Sequence, residues 1–279
     1  MTPFTFQRDG LVFSGIACGQ GPPLILLHGG GSRASTFAEL MPMIGGSYRV
    51  YAYDQRGFGG TSASASDEIS HRAWADDLGA CLDHIGSDRA VVCGWSLGAA
   101  VALNFASQHS DRVAALVLLG APRPDHKVDR RNFERRLAMI ALGATAAEVV
   151  AATFDAVERG FSPWTPAHRP RAIERIRAEH LAQDVGLAAR LVDAYCDRED
   201  LVAVLPQILC PVHLIVGADD PMCGVDAARV LASHLSQATL TVIPDCGHYY
   251  AVEQPALVVQ AMLAGLVGSA LSGIHPGPR

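Results

Sequence analysis

Val91-Val92-Cys93-Gly94-Trp95-Ser96-Leu97-Gly98-Ala99-Ala100 is the stretch on which the reading of the whole chain turns. An apolar run leads into Gly-x-Ser-x-Gly, and an alanine-rich segment of helical length follows. Strand, sharp turn and helix are the context that makes this short pattern specific. Glycines at 94 and 98 allow the backbone to turn tightly and the helix to approach the strand, which predicts a strained elbow with the Ser96 hydroxyl at its tip. The helix behind it has unused backbone N–H groups in its first turn, beginning with Leu97, where an oxyanion formed at the serine could be held.

Working outward, short Val/Ile/Leu-rich runs alternate with segments of helical period, the pattern of a mainly parallel sheet covered on both faces. Phe4 to Gln7 and Leu11 to Ala17, joined at Asp9-Gly10, read as an antiparallel hairpin at the sheet edge. The further strands are Leu24 to Leu27, Arg49 to Tyr53, Ala90 to Cys93, Val113 to Leu119, Val212 to Val216 and Leu240 to Ile243. Helices are expected over Ala73 to Ile85, Leu97 to His109, Ala227 to Leu235 and Ala256 to Leu266. The rhythm breaks from about Arg123 to Leu205, where no strand is convincing, so a helical cap is expected between the sixth and seventh core strands. The expected organisation is an α/β core of residues 1–122 and 206–267, a cap of 123–205, and a frayed Gly/Pro-rich tail of 268–279.

With the elbow in this setting, the chain resembles the α/β-hydrolase superfamily along nearly its whole length. The resemblance implies the chain order serine, acid, histidine, with the acid after a late strand and the histidine in a loop near the C-terminus. Val212 to Val216 runs into Gly217-Ala218-Asp219-Asp220-Pro221, and Leu240 to Ile243 runs into Pro244-Asp245-Cys246-Gly247-His248. The implied triad is Ser96, Asp220 and His248, with Asp219 the alternative acid and Asp125, after the sixth strand, a more remote one. The chemistry needs these residue types: a histidine to take the serine's proton during attack, and a carboxylate to fix the histidine's tautomer and stabilise the imidazolium. Leu24-Ile25-Leu26-Leu27-His28-Gly29-Gly30-Gly31 resembles the family's oxyanion loop, which implies Gly30 as second donor beside Leu97, with Gly31 the alternative and His28 structural. Asp54-Gln55-Arg56-Gly57-Phe58-Gly59-Gly60-Thr61-Ser62 matches a family turn after the fourth strand; its expected role is architectural.

Composition narrows the function classes. Hydrophobic residues make up 49% and charged residues 18% of the 279, and mean hydropathy is +0.20, enough apolar side chain for a large core. A net charge of −6, with Lys127 the single lysine, argues against nucleic acid, which is bound through a positive field. No Gly-Lys-Ser/Thr is present for a Walker loop, and the Gly57 turn lacks dinucleotide spacing, so no cofactor is implied. The seven cysteines form no Cys-x-x-Cys pair and no His-Glu-x-x-His occurs, so neither a disulfide framework nor a metal is expected. The N-terminus lacks a basic start and apolar h-region, no window reads as a membrane span, and the expectation is a cytoplasmic protein with a small-molecule substrate. A homodimer is compatible with this composition.

A serine at position 96 argues against the epoxide hydrolases and haloalkane dehalogenases of this fold, which resemble one another in placing aspartate there. Ester or lactone hydrolysis is favoured, in the manner of small esterases, enol-lactonases and ring-cleavage product hydrolases. C–C bond hydrolysis, perhydrolysis, cofactor-free dioxygenation and a non-catalytic ligand receptor remain alternatives. Gly31, Trp95, Phe161 and Trp164 are candidate pocket residues. Arg123 to Arg136 carries six positive and three negative side chains; a solvated helix face is preferred there over an anion-binding mouth.

Overall fold

The alternation of apolar runs and helical segments assembles, in the computed structural model, into one eight-stranded sheet. The structure describes residues 1–61, 63, 67–125, 128–198 and 200–267; the expected tail, Ser62 and Lys127 lie outside them. Strands β1 (Thr2–Arg8), β2 (Leu11–Cys18), β3 (Pro23–Leu27), β4 (Arg49–Tyr53), β5 (Ala90–Trp95), β6 (Val113–Leu119), β7 (Val212–Gly217) and β8 (Ala238–Ile243) lie in the order β1-β2-β4-β3-β5-β6-β7-β8. The pairs β1–β2 and β2–β4 are antiparallel, and every other pair is parallel. The hairpin turn is made by Asp9 and Gly10, both at positive φ, as a tight two-residue connection requires.

Helices α1 (Met41–Ile44), α2 (His71–His84) and α3 (Leu97–Gln108) precede β6 or flank it, and α9 (Val225–Ser233), α10 (Tyr250–Glu253) and α11 (Pro255–Val267) follow β7. Strand alternation divides the core between two faces. Leu24, Leu26, Val91 and Cys93 point into one cluster with α11, while Ile25, Leu27, Ala90 and Val92 point into the other with α2 and α3. Burial on both faces explains why β3, β5, β6 and β7 read as continuous apolar runs rather than alternating ones. β8, at the sheet edge, is mostly exposed, and its apolar alternation is correspondingly weak.

Between β6 and β7 there is no strand among the described residues. The interval holds α4 (Glu134–Ala141), α5 (Ala146–Glu158), α6 (Thr165–His168), α7 (Pro170–Leu181) and α8 (Ala188–Cys196). The apolar stretch from Leu137 to Val157 is two helices. Gly143, at φ +86°, ends the first, and Thr145 opens the second by accepting the Glu148 N–H while Glu148 accepts the Thr145 N–H. α5 and α7 bury Val149, Val150, Phe154, Ala172 and Ile176, whereas α4 buries nothing. The charged stretch before and within α4 is paired or solvated: Arg123 holds Asp125 at 2.6 Å, Arg131 holds Asp129, Arg130 holds Asp193, and Arg136 donates to Gln183. No helix of the described residues is long and apolar enough to cross a membrane.

Candidate active site

The sheet order reverses between β3 and β5: the chain leaves β3 toward one edge and resumes from β5 toward the other, and a crevice opens at the carboxyl ends of such neighbouring strands. Leu27 pairs with Gly94 there, so the loop after β3 and the elbow after β5 are adjacent. Ser96 has φ 53° and ψ −111°, a strained conformation for a residue with a side chain. Both glycines of the elbow are contact points. A Cβ on Gly94 would lie 2.2 Å from Gly98 O, and one on Gly98 would lie 2.2 Å from Leu27 O. The turn can therefore be this tight only with hydrogen at both positions. The carbonyl of Ser96 accepts from Ala99 and Ala100, leaving the Leu97 N–H at the helix N-terminus, where no intrahelical partner exists. A Cβ on Gly30 would lie 4.0 Å from the Leu97 side chain, so the glycine loop lies against the elbow.

Asp220 and His248 come together from the ends of β7 and β8. His248 Nδ1 donates to Asp220 Oδ2 at 2.9 Å, with His248 5% and Asp220 6% exposed. Three more donors surround that carboxylate: the Tyr250 hydroxyl on Oδ2 at 2.6 Å, and the Met222 and Cys223 N–H groups on Oδ1 at 2.8 and 2.9 Å. Burial pushes the Asp220 pKa up, but the charge and hydrogen bond of His248, with the bonds from Tyr250 and Cys223, outweigh it and bring it down to about 2. Asp219 faces elsewhere, accepting from Ser162 Oγ at 2.6 Å. Asp125 is exposed and paired with Arg123.

The indole of Trp95, the residue before Ser96, donates to the backbone carbonyl of His248 at 2.7 Å and packs against Gly29. It thus joins elbow, histidine loop and glycine loop, and at 3% exposure it belongs to the core. Phe161 is likewise buried, stacked on Tyr249 at 4.2 Å. Trp164 stacks on exposed His168. Gly31, at φ +79°, is covered by the segment that follows α7: Gln183 donates to its carbonyl at 2.6 Å. His28 is buried with Nε2 accepting from the Gln55 N–H and Nδ1 on Gly29 O, so both ring nitrogens hold backbone. Asp54 caps the Ala34 and Gly60 N–H groups, and Arg56 clasps Asp77 at 2.7 and 3.0 Å.

Three residues that no motif marks also meet here. Tyr250 supports Asp220, as above. Tyr195, on α8, lies close to the Ser96 side chain; withdrawal from water pushes its pKa up to about 12, so the phenol keeps its proton. Glu253 is fully buried and bridges the His248 loop to the segment before α6. Its Oε1 accepts the N–H groups of Gly247 and Tyr249, on either side of His248, and its Oε2 accepts the Ser162 N–H and the Thr165 hydroxyl. The His248 N–H donates to Gly160 O at 2.6 Å, a second tie to the same segment. Only the pattern of partners around each side chain gives these residues meaning, and for Tyr195 and Glu253 that pattern is complete only once the insertion has docked.

A family model described as the alpha/beta hydrolase fold matches residues 22–255. Among curated proteins, the chain is 31% identical over 252 residues to a protein named as the carbamate hydrolase RutD of Caulobacter, covering 88% of this chain and 91% of that one. It is 30% identical over 274 residues to the pimeloyl-[acyl-carrier protein] methyl ester esterase of Aromatoleum aromaticum, covering 88% and 99%. A thermophilic esterase of Thermogutta terrifontis superposes with a TM-score of 0.83 at 26% identity, covering 96% of this chain and 98% of that one.

Proposed function

Since the chain belongs to the alpha/beta hydrolase fold family and is an enzyme of that type, we propose that it is a serine hydrolase that cleaves an ester, lactone or related carbonyl bond of a small molecule. The observation that carries this reading is the His248 Nδ1 to Asp220 Oδ2 hydrogen bond, beside a strained Ser96 whose neighbour Trp95 holds the His248 carbonyl. With Nδ1 committed to Asp220, the neutral imidazole presents Nε2 as its base.

The steps follow from proton accounting. Ser96 Oγ attacks the carbonyl carbon while His248 Nε2 takes its proton, and Asp220 stabilises the imidazolium. The oxyanion is held by the N–H groups of Leu97 and Gly30. His248 then protonates the leaving oxygen, giving an acyl-enzyme, and activates a water that releases the acid and restores Ser96. The helices between β6 and β7 act as a cap, bringing Tyr195 to the nucleophile. The names of the relatives, a carbamate hydrolase and a methyl ester esterase, both describe cleavage next to a carbonyl and agree with this chemistry. The test is turnover of 4-nitrophenyl butyrate by Ser96→Ala: the expected result is loss of hydrolysis with an unchanged circular dichroism spectrum. Undiminished turnover would remove Ser96 from the mechanism.

A further inference from the structure

The insertion meets the glycine loop through polar side chains spaced four residues apart. Arg175 and Glu179 on α7, and Gln183 just beyond it, recur at the interval that stacks side chains along one side of a helix. All three reach residues 31–36. Arg175 donates to Ser35 O, Glu179 accepts the Thr36 hydroxyl at 2.9 Å on Oε1 and 2.8 Å on Oε2, and Gln183 Nε2 donates to Gly31 O at 2.6 Å.

The direction of these bonds is fixed by what each group can do. Arg136, on α4, donates to Gln183 Oε1 at 2.7 Å. A guanidinium accepts nothing, so the amide oxygen must face Arg136 and the NH2 must face Gly31. Gly29 O accepts the Ser32 N–H at 3.2 Å, closing a turn around Gly30 and Gly31, with Gly31 at φ +79°. The peptide unit joining Gly31 to Ser32 is therefore held at both ends, its carbonyl by the insertion and its N–H by the turn. Consecutive glycines restrict their own backbone little, so a turn made of them keeps one shape only through contacts from outside. Thr36 fastens the far end of the same segment. It is fully buried, and Glu179 is 6% exposed, so their bond is made away from water, where losing one partner is costly. The Ser32 hydroxyl, also buried, lies close to the same carboxylate.

We propose that Gln183 and Glu179 are positioning residues that hold the glycine loop in the shape that presents the Gly30 N–H to the oxyanion. This rests on the serine hydrolase reading and adds to it residues that act on the transition state through the backbone. Arg136 acts one step further back, by aiming the Gln183 amide. A donor held for the oxyanion is used in the transition state more than in the bound substrate, so the loss of its support falls on kcat rather than KM.

The test uses 4-nitrophenyl butyrate, with rates expressed per site titrated by a fluorophosphonate. Gln183→Leu should lower kcat by about tenfold and leave KM within about twofold. Glu179→Leu should act in the same direction, and Glu179→Gln should recover most of the rate, because one oxygen serves Thr36 and the Ser32 hydroxyl can accept from the NH2. Arg136→Met combined with Gln183→Leu should be no slower than Gln183→Leu alone, since both remove one interaction. A merely structural role would lower the fraction of titratable sites and leave kcat per site unchanged, which would overturn the proposal, as would a rise in KM at constant kcat. Deuterium exchange of the intact protein, read by mass spectrometry on peptides spanning residues 28–37, follows the loop without any turnover. Exchange faster in Gln183→Leu and Glu179→Leu than in wild type is expected, and equal exchange contradicts the proposal even where kcat falls. Turnover that survives Ser96→Ala would instead remove the hydrolase mechanism, a failure that the exchange experiment does not share.

Discussion

Replacing Glu253 by glutamine tests whether the link between the His248 loop and the cap depends on a carboxylate. Both oxygens face only donors: Gly247 N–H at 3.1 Å and Tyr249 N–H at 2.9 Å on Oε1, Ser162 N–H at 2.8 Å and the Thr165 hydroxyl at 2.5 Å on Oε2. Glutamine keeps one acceptor oxygen and must aim an NH2 group at one of these pairs. Toward Gly247 and Tyr249 it would confront two fixed backbone donors. Toward Ser162 and Thr165 it confronts one, because a hydroxyl can rotate and accept. The second orientation is therefore favoured, with the Ser162 N–H left dry and the bonds to Gly247 and Tyr249 reduced from charged to neutral.

An unsatisfied buried N–H costs about 1–3 kcal/mol, and a bond to a charged acceptor exceeds a neutral one by roughly 1 kcal/mol, so the gross loss is about 4 kcal/mol. Burial pushes the Glu253 pKa up despite its four donors, and a neutral amide escapes that desolvation, which offsets about half of the loss. The net expectation is about 2 kcal/mol of destabilisation. Urea unfolding at pH 7 followed by circular dichroism reads it directly: with a slope near 3 kcal/mol per M, the midpoint should fall by about 0.7 M at unchanged slope. A glutamine variant as stable as wild type, or more so, would refute the reasoning, because it would mean that the four donors do not require a charged acceptor.

Other consequences follow from the same geometry. Asp220→Asn should lower kcat by about 10⁴-fold, since an amide favours the wrong imidazole tautomer, whereas Asp219→Asn, which loses only its bond to Ser162, should cost less than about tenfold; steady-state kinetics on 4-nitrophenyl butyrate separates the two, and the reverse order would transfer the role. The folded pKa of Asp220, about 2 against an ordinary 3.8, contributes about 2 kcal/mol of stability that is fully present above pH 4 and lost as the pH falls through 2. The stability gap between wild type and Asp220→Asn, measured by urea titration, should therefore narrow over that window; a constant gap would contradict the shift. Gly98→Ala places a Cβ 2.2 Å from Leu27 O and should destabilise by about 3 kcal/mol or more, while Gly46→Ala, with nothing within 4 Å, should stay within about 0.5 kcal/mol. Equal thermal midpoints for the two would remove the close-contact explanation of the elbow.

The sheet was legible because its central strands are buried on both faces, so runs such as Val113 to Leu119 carry a signal independent of their neighbours. The elbow was legible for a related reason: Gly94 and Gly98 answer local collisions, with each other and with β3, and local collisions leave local marks in sequence. The insertion was harder to read. The break between α4 and α5 rests on a single glycine within an alanine-rich run, and α4 leaves its apolar residues at most half-buried. Adjacent aspartates at 219 and 220 look alike in one dimension, but a turn sends one toward Ser162 and the other toward His248. Tyr195, Tyr250 and Glu253 carry no motif, because each reaches at least one partner far along the chain. Trp95 and Phe161 illustrate the opposite difficulty: an aromatic beside an active-site motif reads as a pocket wall, yet here both are buried in the packing that carries the loops.

The central claim is that Ser96 is a nucleophile activated by the His248–Asp220 pair. Reaction of the intact protein with a fluorophosphonate, followed by mass spectrometry of its peptides, measures that activation without assuming a substrate. A single adduct on Ser96 in wild type, reduced by orders of magnitude in His248→Ala, is the predicted result. An unlabelled Ser96 in the folded wild-type protein, or labelling that His248→Ala leaves undiminished, would contradict the account.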